Sequence, residues 1–175
     1  MKSFFIIGLV VFLFTGCYVE KHNITPTTQI DKFVLEPASK VYITKPEDGS
    51  FGQIKYYESG FAVASTLKNN IFRYTKDIIV SNKITKLDDA LLEAKKENSK
   101  YLFYPTILLW EDRATQWSGK SDKIHINITV IDVLTGKEIS STDIKSNSSF
   151  WTLRNASPAE LLEEPLSQYI NSLYQ

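Results

Sequence analysis

The sequence predicts an α/β (α+β) domain in which helices pack on a single mixed β-sheet. Three observations favour this fold. In the first half of the chain, two short β runs alternate with two helical segments, which favours parallel pairing. In the second half, a cleanly alternating run leads into a Thr135-Gly136 turn, which indicates antiparallel strands. The chain then ends in a segment with a helix start signal.

The first half supplies two βα units. Residues 40–44 form a short β run that ends at Pro46 and the turn-like stretch 47–50. Residues 58–74 carry apolar side chains at helical spacing, and residues 77–81 read as a buried strand. Residues 86–98 have one apolar and one charged face, as in an amphipathic helix. In the first helical segment, 58–74, the apolar positions are Phe61, Val63, Ala64, Leu67 and Ile71. We expect Tyr56 and Tyr57, just before this helix, to pack in the core.

The second half predicts a three-stranded antiparallel meander. Residues 101–113 form a long apolar strand, on which Leu108 and Trp110 are expected to share the core face. Residues 123–133 alternate, with isoleucines on one side and polar residues that include His125 on the other. Residues 137–146 complete the meander.

The last element begins at Ser157-Pro158-Ala159-Glu160, which has the pattern of a capping box with proline at the first helical position. Pro165 lacks the amide hydrogen that a helix interior uses, so we expect a kink or two short helices. The predicted order is therefore β-α-β-α-β-β-β-α, in a single domain over residues 37–175.

The composition is that of an ordinary globular protein. Twenty basic residues balance twenty acidic ones in a chain of 175 residues that is 43% hydrophobic. Global disorder and a coiled coil are excluded, and there is no basic excess to indicate nucleic acid as a partner. The single cysteine excludes an intrachain disulfide and a multi-cysteine metal site.

The N-terminus indicates the compartment. Lys2 precedes an apolar stretch at 4–14, which is shorter than the roughly 20 residues of a membrane-spanning helix but typical of a signal peptide. Residues 13–17, which end in Thr15-Gly16-Cys17, resemble the lipobox of bacterial lipoproteins. The resemblance implies a signal peptide at 1–16, cleavage between Gly16 and Cys17, and diacylglycerol and N-acyl lipid on Cys17. The alternative is an uncleaved signal anchor with an incidental buried cysteine.

The same resemblance implies a location. Tyr18 follows the cysteine, and the absence of Asp there implies a lipoprotein of the outer membrane that faces the periplasm. We expect residues 17–36 to be the lipidated cysteine and a tether, because they lack a clear period and include Thr25-Pro26-Thr27-Thr28. The alternative is an early strand at 32–35.

A second resemblance spans most of the mature chain. The segment 108–119, the stretch 132–137 and the C-terminal 158–174 resemble a family of small uncharacterised proteobacterial lipoproteins, known as a domain of unknown function. The order of elements is also similar to small periplasmic domains such as the amino-terminal domain of TolB, and to outer-membrane lipoproteins that activate penicillin-binding proteins. These resemblances imply a compartment and a fold, and no activity.

The sequence contains no motif for catalysis. It has no P-loop, no G-x-G-x-x-G and no G-x-S-x-G, and its two histidines, His22 and His125, are too few for a zinc enzyme. We therefore expect no catalytic residues, no metal and no cofactor other than the lipid. Glu111 and Asp112 are the paired carboxylates that a hydrolase would use, but neighbours on a strand point to opposite faces. An ion pair of Glu111 with Arg113, or a cross-strand pair with Lys123 or His125, is the simpler interpretation.

The aromatic residues at the end of the predicted hairpin indicate binding. Large aromatic residues beside arginine are typical of protein-binding hot spots. The candidate partner-binding residues are Trp110, Glu111, Asp112, Arg113 and Trp117. For Trp110 a place in the core is the favoured alternative. The function expected is a lipid-anchored, non-catalytic envelope module that binds an envelope protein. An envelope hydrolase that uses Glu111 or Asp112, and a small-ligand carrier, are the alternatives.

Overall fold

A six-stranded mixed sheet with helices on both faces forms the body of the molecule. The computed structural model describes residues 21–29, 33–112, 120–148 and 157–175. Within these ranges the helices and strands are β1 (Lys21–Gln29), β2 (Val41–Ile43), β3 (Ser50–Phe51), β4 (Ile54–Lys55), α1 (Ser59–Ile71), β5 (Ile78–Val80), α2 (Leu87–Lys96), β6 (Tyr101–Glu111), β7 (Lys123–Asp132), β8 (Glu138–Asn147), a 3-10 helix (Glu160–Leu162) and α3 (Glu163–Leu173). The predicted fold class, a mixed sheet with helices packed on it, is confirmed.

The strand order is β1-β8-β7-β6-β2-β5, and β3 and β4 form a separate two-stranded hairpin. The three strands β5, β2 and β6 are parallel, as the alternation of strands and helices predicts. The strands β6, β7, β8 and β1 are antiparallel. Two helices, α1 and α3, pack on one face over the larger core, which includes Val63, Phe103, Ile126 and Leu166. On the other face α2 packs over a smaller cluster that includes Tyr42 and Leu102.

The first strand corrects the expectation of a tether over residues 17–36. Lys21–Gln29 pairs with β8 along its length, with a register shift between Pro26 and Thr28. The sequence shows no apolar period here because β1 is an edge strand held mainly by backbone hydrogen bonds. Pro26 is tolerated because edge strands and irregular positions can do without one amide hydrogen. The alternative strand at 32–35 is not found: residues 33–35 are not a strand, although Leu35 is buried and its amide donates to the carbonyl of Leu173, with N and O 2.7 Å apart.

A β-bulge in β6 corrects the predicted core face of that strand. The register with β7 shifts between Ile107 and Leu109, so Leu108 is 53% exposed instead of buried. After the bulge the alternation resumes, and Trp110 lies opposite Ile124 on the core face. A bulge adds one residue to one strand, which reverses the facing of every residue that follows.

The C-terminal segment forms two short helices, as Pro165 predicts. The 3-10 helix Glu160–Leu162 leads directly into α3. The amide of Glu160 donates to the backbone carbonyl of Ser157, with N and O 2.9 Å apart. Pro165 falls in the first turn of α3, where a missing amide hydrogen costs little. None of the helices in the described ranges is both long and apolar enough to cross a bilayer.

Candidate functional site

Three of the residues singled out by the sequence, Trp110, Glu111 and Asp112, lie at the end of β6. Trp110 lies in the larger core and is 5% exposed, which agrees with its favoured interpretation as a core residue. The face of β6 that carries Trp110 borders a surface groove of about 410 Å³, which we call the Trp110 groove. Trp110, Asp112 and residues 55–59, 62 and 157–159 line it. Because Trp110 is almost fully buried and lines the groove, it forms the groove's floor.

A glycine lets the β3–β4 hairpin pack directly on Trp110. A Cβ atom at Gly49 would lie 2.5 Å from Cβ of Trp110 and 2.7 Å from Cγ2 of Ile107, which is inside contact distance. The amide of Gly49 donates to Oγ of Ser59 at 2.8 Å, and its carbonyl accepts from the amide of Tyr56 at 2.9 Å. These bonds attach the start of α1 to the end of β6, and they build one wall of the groove.

Glu111 and Asp112 lie on different sides of the sheet. Glu111 is 2% exposed and faces Lys123, with Nζ of the lysine 4.0 Å from Oε2. Asp112 lines the Trp110 groove instead, and its backbone carbonyl accepts a long hydrogen bond of 3.4 Å from the hydroxyl of Tyr56. The strand alternates at this point, so the two carboxyl groups do not face a common substrate.

Partial burial raises the pKa of Asp112, and the nearby negative charge of Asp122 raises it further. Asp122 is itself buried, and its amide donates to Oγ of Ser148 at 2.8 Å. The groove therefore has a carboxyl group at one end that gains a proton more readily than an isolated aspartate. The candidate residues Arg113 and Trp117 lie outside the described residues, as do Gly16 and Cys17.

Exposed apolar side chains lie at or next in sequence to residues that line the Trp110 groove, and the sequence interpretation placed two of them, Tyr57 and Phe61, in the core. Tyr57 is 79% exposed, whereas Tyr56 is half-buried and packs against the core. Phe61 and Ile54 are each 57% exposed. The groove itself is lined by Lys55, Tyr56, Tyr57, Glu58, Ser59, Ala62, Trp110, Asp112, Ser157, Pro158 and Ala159.

The exposure of Phe61 follows from the phase of α1. The buried side of that helix is centred on Val63, Leu67, Asn70 and Ile71, and Phe61 lies about 200° around the helix from Val63. The position of Phe61 around the helix therefore predicts that its side chain is exposed, whereas a count of apolar residues at helical spacing does not.

The outer face of β7 and β8 is a network of polar side chains, where the sequence places His125. Nε2 of His125 lies 3.4 Å from Oδ2 of Asp143. Nδ2 of Asn127 donates to Oδ1 of Asp143 at 2.9 Å, and the hydroxyl of Thr129 donates to Oδ1 of Asn127 at 3.2 Å. The hydrogen bond from Asn127 holds the pKa of Asp143 below its ordinary value despite partial burial, and His125 contributes in the same direction.

No group of three or more His, Cys, Asp or Glu side chains in the described ranges has a geometry that would hold a metal ion.

The fold and the groove define a class of protein: small mixed-sheet domains in which parallel βα units lead into an antiparallel meander. Residues 33–173 match the family described as Domain of unknown function (DUF4823), and the chain belongs to that family. This confirms the resemblance to an uncharacterised family that the sequence indicates.

Two solved structures of PelC share the fold. A PelC dodecamer from Paraburkholderia phytofirmans has a TM-score of 0.62 at 15% identity, over 84% of this chain and 96% of that chain. A second PelC dodecamer structure from the same organism has a TM-score of 0.65 at 12% identity, over 86% of this chain and 98% of that chain. Lipoprotein GNA1162 from Neisseria meningitidis has a TM-score of 0.48 at 14% identity, over 77% and 97%. No curated protein matches the chain.

Proposed function

We propose that this protein is a lipid-anchored, non-catalytic module of the bacterial cell envelope, and that it binds an envelope protein at the Trp110 groove. One observation carries the choice of surface. Ile54, Tyr57 and Phe61 are exposed within eight residues of chain, next to a groove whose floor is Trp110. Single exposed apolar residues are normal on a protein surface, but a cluster beside a concave site is typical of an interface.

The chemistry of the groove suits a protein ligand. Tyr57 presents an aromatic ring that loses little conformational freedom on binding, as hot-spot residues do. Lys55, Glu58 and Asp112 add charges of both signs, as in the polar rim of a protein interface. A short side chain of the partner would fill the groove, and a flat apolar surface would cover Tyr57.

The anchor belongs to the same proposal. Cleavage after Gly16 would leave Cys17 as the lipidated first residue, facing the periplasm from the outer membrane. One acyl chain binds a bilayer only reversibly, whereas the two or three chains of a bacterial lipoprotein would make attachment stable. The Cys17→Ser variant is expected to lose incorporated palmitate and to leave the membrane fraction. A variant that stays lipidated and membrane-bound would refute the anchor.

The binding surface is tested by crosslinking in cells. A photo-crosslinking phenylalanine analogue at Lys55, an exposed residue that lines the groove and is unchanged in the variants below, is expected to capture a discrete envelope protein, which mass spectrometry would identify. The double variant Tyr57→Ser, Phe61→Ser should lose that partner. Leu134→Ser is the matched control, because Leu134 is a 90% exposed apolar residue at the β7–β8 turn.

Two outcomes would overturn the proposal that a partner protein binds at the Trp110 groove. Equal capture by the double variant and the control would place the interface elsewhere. Capture only of the protein itself would make a second copy the occupant, and the mass of the assembly would then fall in the double variant.

The hydrolase alternative that uses Glu111 and Asp112 loses its geometric basis, because the two carboxyl groups lie on different sides of β6. A glycosidase needs both groups on the same scissile bond.

A further inference from the structure

A second cleft, which shares no lining residue with the Trp110 groove, lies where ligands bind in many α/β folds. It has a volume of about 480 Å³ and is bounded by residues 44–47, 84–86 and 104–107. The segment 44–47 leaves the carboxyl end of β2, and 84–86 precedes α2. The helix α1 joins β2 to β5 and packs on one face, while α2 joins β5 to β6 and packs on the other. A change of side at the carboxyl ends of parallel strands creates a crevice that typically binds ligands.

Two threonines that line this cleft have hydroxyl groups with no hydrogen-bond partner among the described residues. Thr44 is 1% exposed, and its Oγ1 makes no hydrogen bond within the described ranges, although its amide donates to the carbonyl of Phe103 at 3.1 Å. Oγ1 of Thr85 is likewise buried without a partner, while the Thr85 carbonyl accepts from the hydroxyl of Tyr104 at 3.1 Å. Buried hydroxyl groups are normally hydrogen-bonded, so two unpaired ones in one cleft indicate a missing polar ligand.

The charges around the cleft favour a negative ligand. Lys45 and Lys86 both line it, and neither forms an ion pair with any residue in the described ranges. Lys86 is also the N-cap of the ten-residue helix α2, and its side chain makes no capping bond, so the first turn keeps unsatisfied amide groups. Glu47 is the one acidic residue among those that line the cleft, and it is exposed.

The remaining wall is apolar. Ile84, Pro105 and Ile107 line the cleft beside the ring of Tyr104. Ile84 is 52% exposed, so it offers apolar surface to a ligand in the cleft. The cleft therefore combines two ammonium groups and two free hydroxyls with an apolar side, within the volume range of small-molecule sites.

We propose that this cleft binds a small molecule that carries a phosphate or a similar compact oxyanion on an apolar group. The oxyanion would accept hydrogen bonds from Thr44 and Thr85 and lie between Lys45 and Lys86. The apolar group would cover Ile84. This site goes beyond the proposed protein interface and does not depend on it, because the two surfaces share no lining residue.

The probe is phenyl phosphate, added to the full-length lipidated protein in detergent, with detergent alone as the blank. Titration followed by the 31P NMR line shape is expected to show saturable binding. Phenol, which lacks the anion, and inorganic phosphate, which lacks the ring, are added as competitors that displace phenyl phosphate, and each should bind at least about tenfold more weakly. A phosphatidic acid with six-carbon chains distinguishes a lipid headgroup from a soluble ligand. A cleft that recognises a lipid headgroup should bind it as tightly as phenyl phosphate, whereas a cleft for a soluble ligand should bind it more weakly.

Variants assign the binding to the cleft. The double variant Lys45→Gln, Lys86→Gln should weaken binding by at least about tenfold, because both charged donors are lost. Lys137→Gln is the matched control at the β7–β8 turn and should leave binding unchanged. Glu47→Gln removes the one opposing charge and should tighten binding. Thr44→Ser should retain binding, whereas Thr44→Val, which is nearly isosteric, should lose it.

Three results would overturn the proposal. These are the absence of saturable binding to the unmodified protein, equal binding by the double lysine variant, and an equal loss in Lys137→Gln. Far-UV circular dichroism of each variant separates lost binding from lost folding. If Thr44→Val unfolds, the lysine pair and Glu47→Gln still decide the outcome, because all three side chains are on the surface of the cleft.

Discussion

Gly49 and Trp110 approach each other so closely that no side chain fits between them: a Cβ atom at Gly49 would lie 2.5 Å from Cβ of Trp110. The β3–β4 hairpin therefore rests with its backbone against the indole. This contact fixes the position of Tyr56 and Ser59, which are hydrogen-bonded to Gly49. The shape of the Trp110 groove depends on a residue that has no side chain and that does not line it.

Gly49→Ala is expected to destabilise the fold by about 1–3 kcal/mol, because the added methyl group must displace Trp110 or the hairpin. Urea unfolding followed by tryptophan fluorescence measures the loss. Gly52→Ala is the control: Gly52 has φ +59° but nothing within 4 Å of its added Cβ, so that variant adds backbone strain without crowding. If Gly52→Ala lowers the free energy of unfolding as much as Gly49→Ala does, and both variants keep the native fluorescence, then crowding against Trp110 is not the cause of the loss.

His22 connects the side chains of the edge strand β1 to β8 and lies beside the C-terminal helix. Nδ1 of His22 lies 2.9 Å from Oγ of Ser146, and Nε2 lies 3.5 Å from Oε2 of Glu164. His22→Ala should speed amide hydrogen exchange throughout Lys21–Gln29 and lower the free energy of unfolding by about 1 kcal/mol. Thr25→Ala, at an exposed position of the same strand, should leave the exchange of its neighbours unchanged. If both variants exchange at the original rate, His22 does not hold the strand.

The polar network on the outer face of β7 and β8 predicts a pH effect. The hydrogen bond from Asn127 holds the pKa of Asp143 below its ordinary value of 3.8, because it favours the charged form. The resulting stability is fully present above pH 3.8 and is lost as the pH falls through the folded-state pKa.

Asn127→Ala should therefore raise the pKa of Asp143 towards its ordinary value, as read from the carboxyl 13C resonance in an NMR titration. The variant should be less stable than the original protein at pH 7, and the difference should shrink in acid. Lys145→Gln is the control, since the charge of Lys145 is the smallest of the causes that lower this pKa. A larger shift in the control than in Asn127→Ala would show that charge rather than hydrogen bonding sets the value.

The regular parts of this fold were predictable from sequence because they follow the spacing of apolar residues. The strands β6, β7 and β8 and the helices α1 and α2 carry clear periods, and the structure places them within about three residues of the predicted bounds. The strand β1 has no such period, because its edge position is decided by pairing with β8, far along the chain.

The site was harder to predict because it depends on one inserted residue and on helix phase. The bulge at Leu108 reverses which residues of β6 face the core, and nothing in the run Ile107-Leu108-Leu109 identifies the extra residue. The groove also needs the close approach of Gly49, which only the folded structure brings next to Trp110. The cleft beside Thr44 joins three segments that no local motif connects.

Alkaline pH tests the packing of α3 on the sheet. Tyr169 is 4% exposed, its hydroxyl lies 3.2 Å from Oγ of Ser140, and burial raises its pKa from 10.0 to about 12. The unfolded chain therefore releases this proton first as the pH rises. Stability is fully present below pH 10 and falls between about pH 10 and 12, by an amount on the order of 2–3 kcal/mol.

Tyr169→Phe should remove part of that alkaline decline while it preserves the packing of the ring. The measurement is the free energy of unfolding in urea at pH 8 and at pH 11, compared between the two proteins. Burial also raises the pKa of Tyr174, so the variant should retain some of the decline, and adding Tyr174→Phe should remove more. An unchanged difference between the two pH values in Tyr169→Phe would mean that this hydroxyl ionises in the folded protein as readily as in the unfolded chain, and that α3 does not seal it from water.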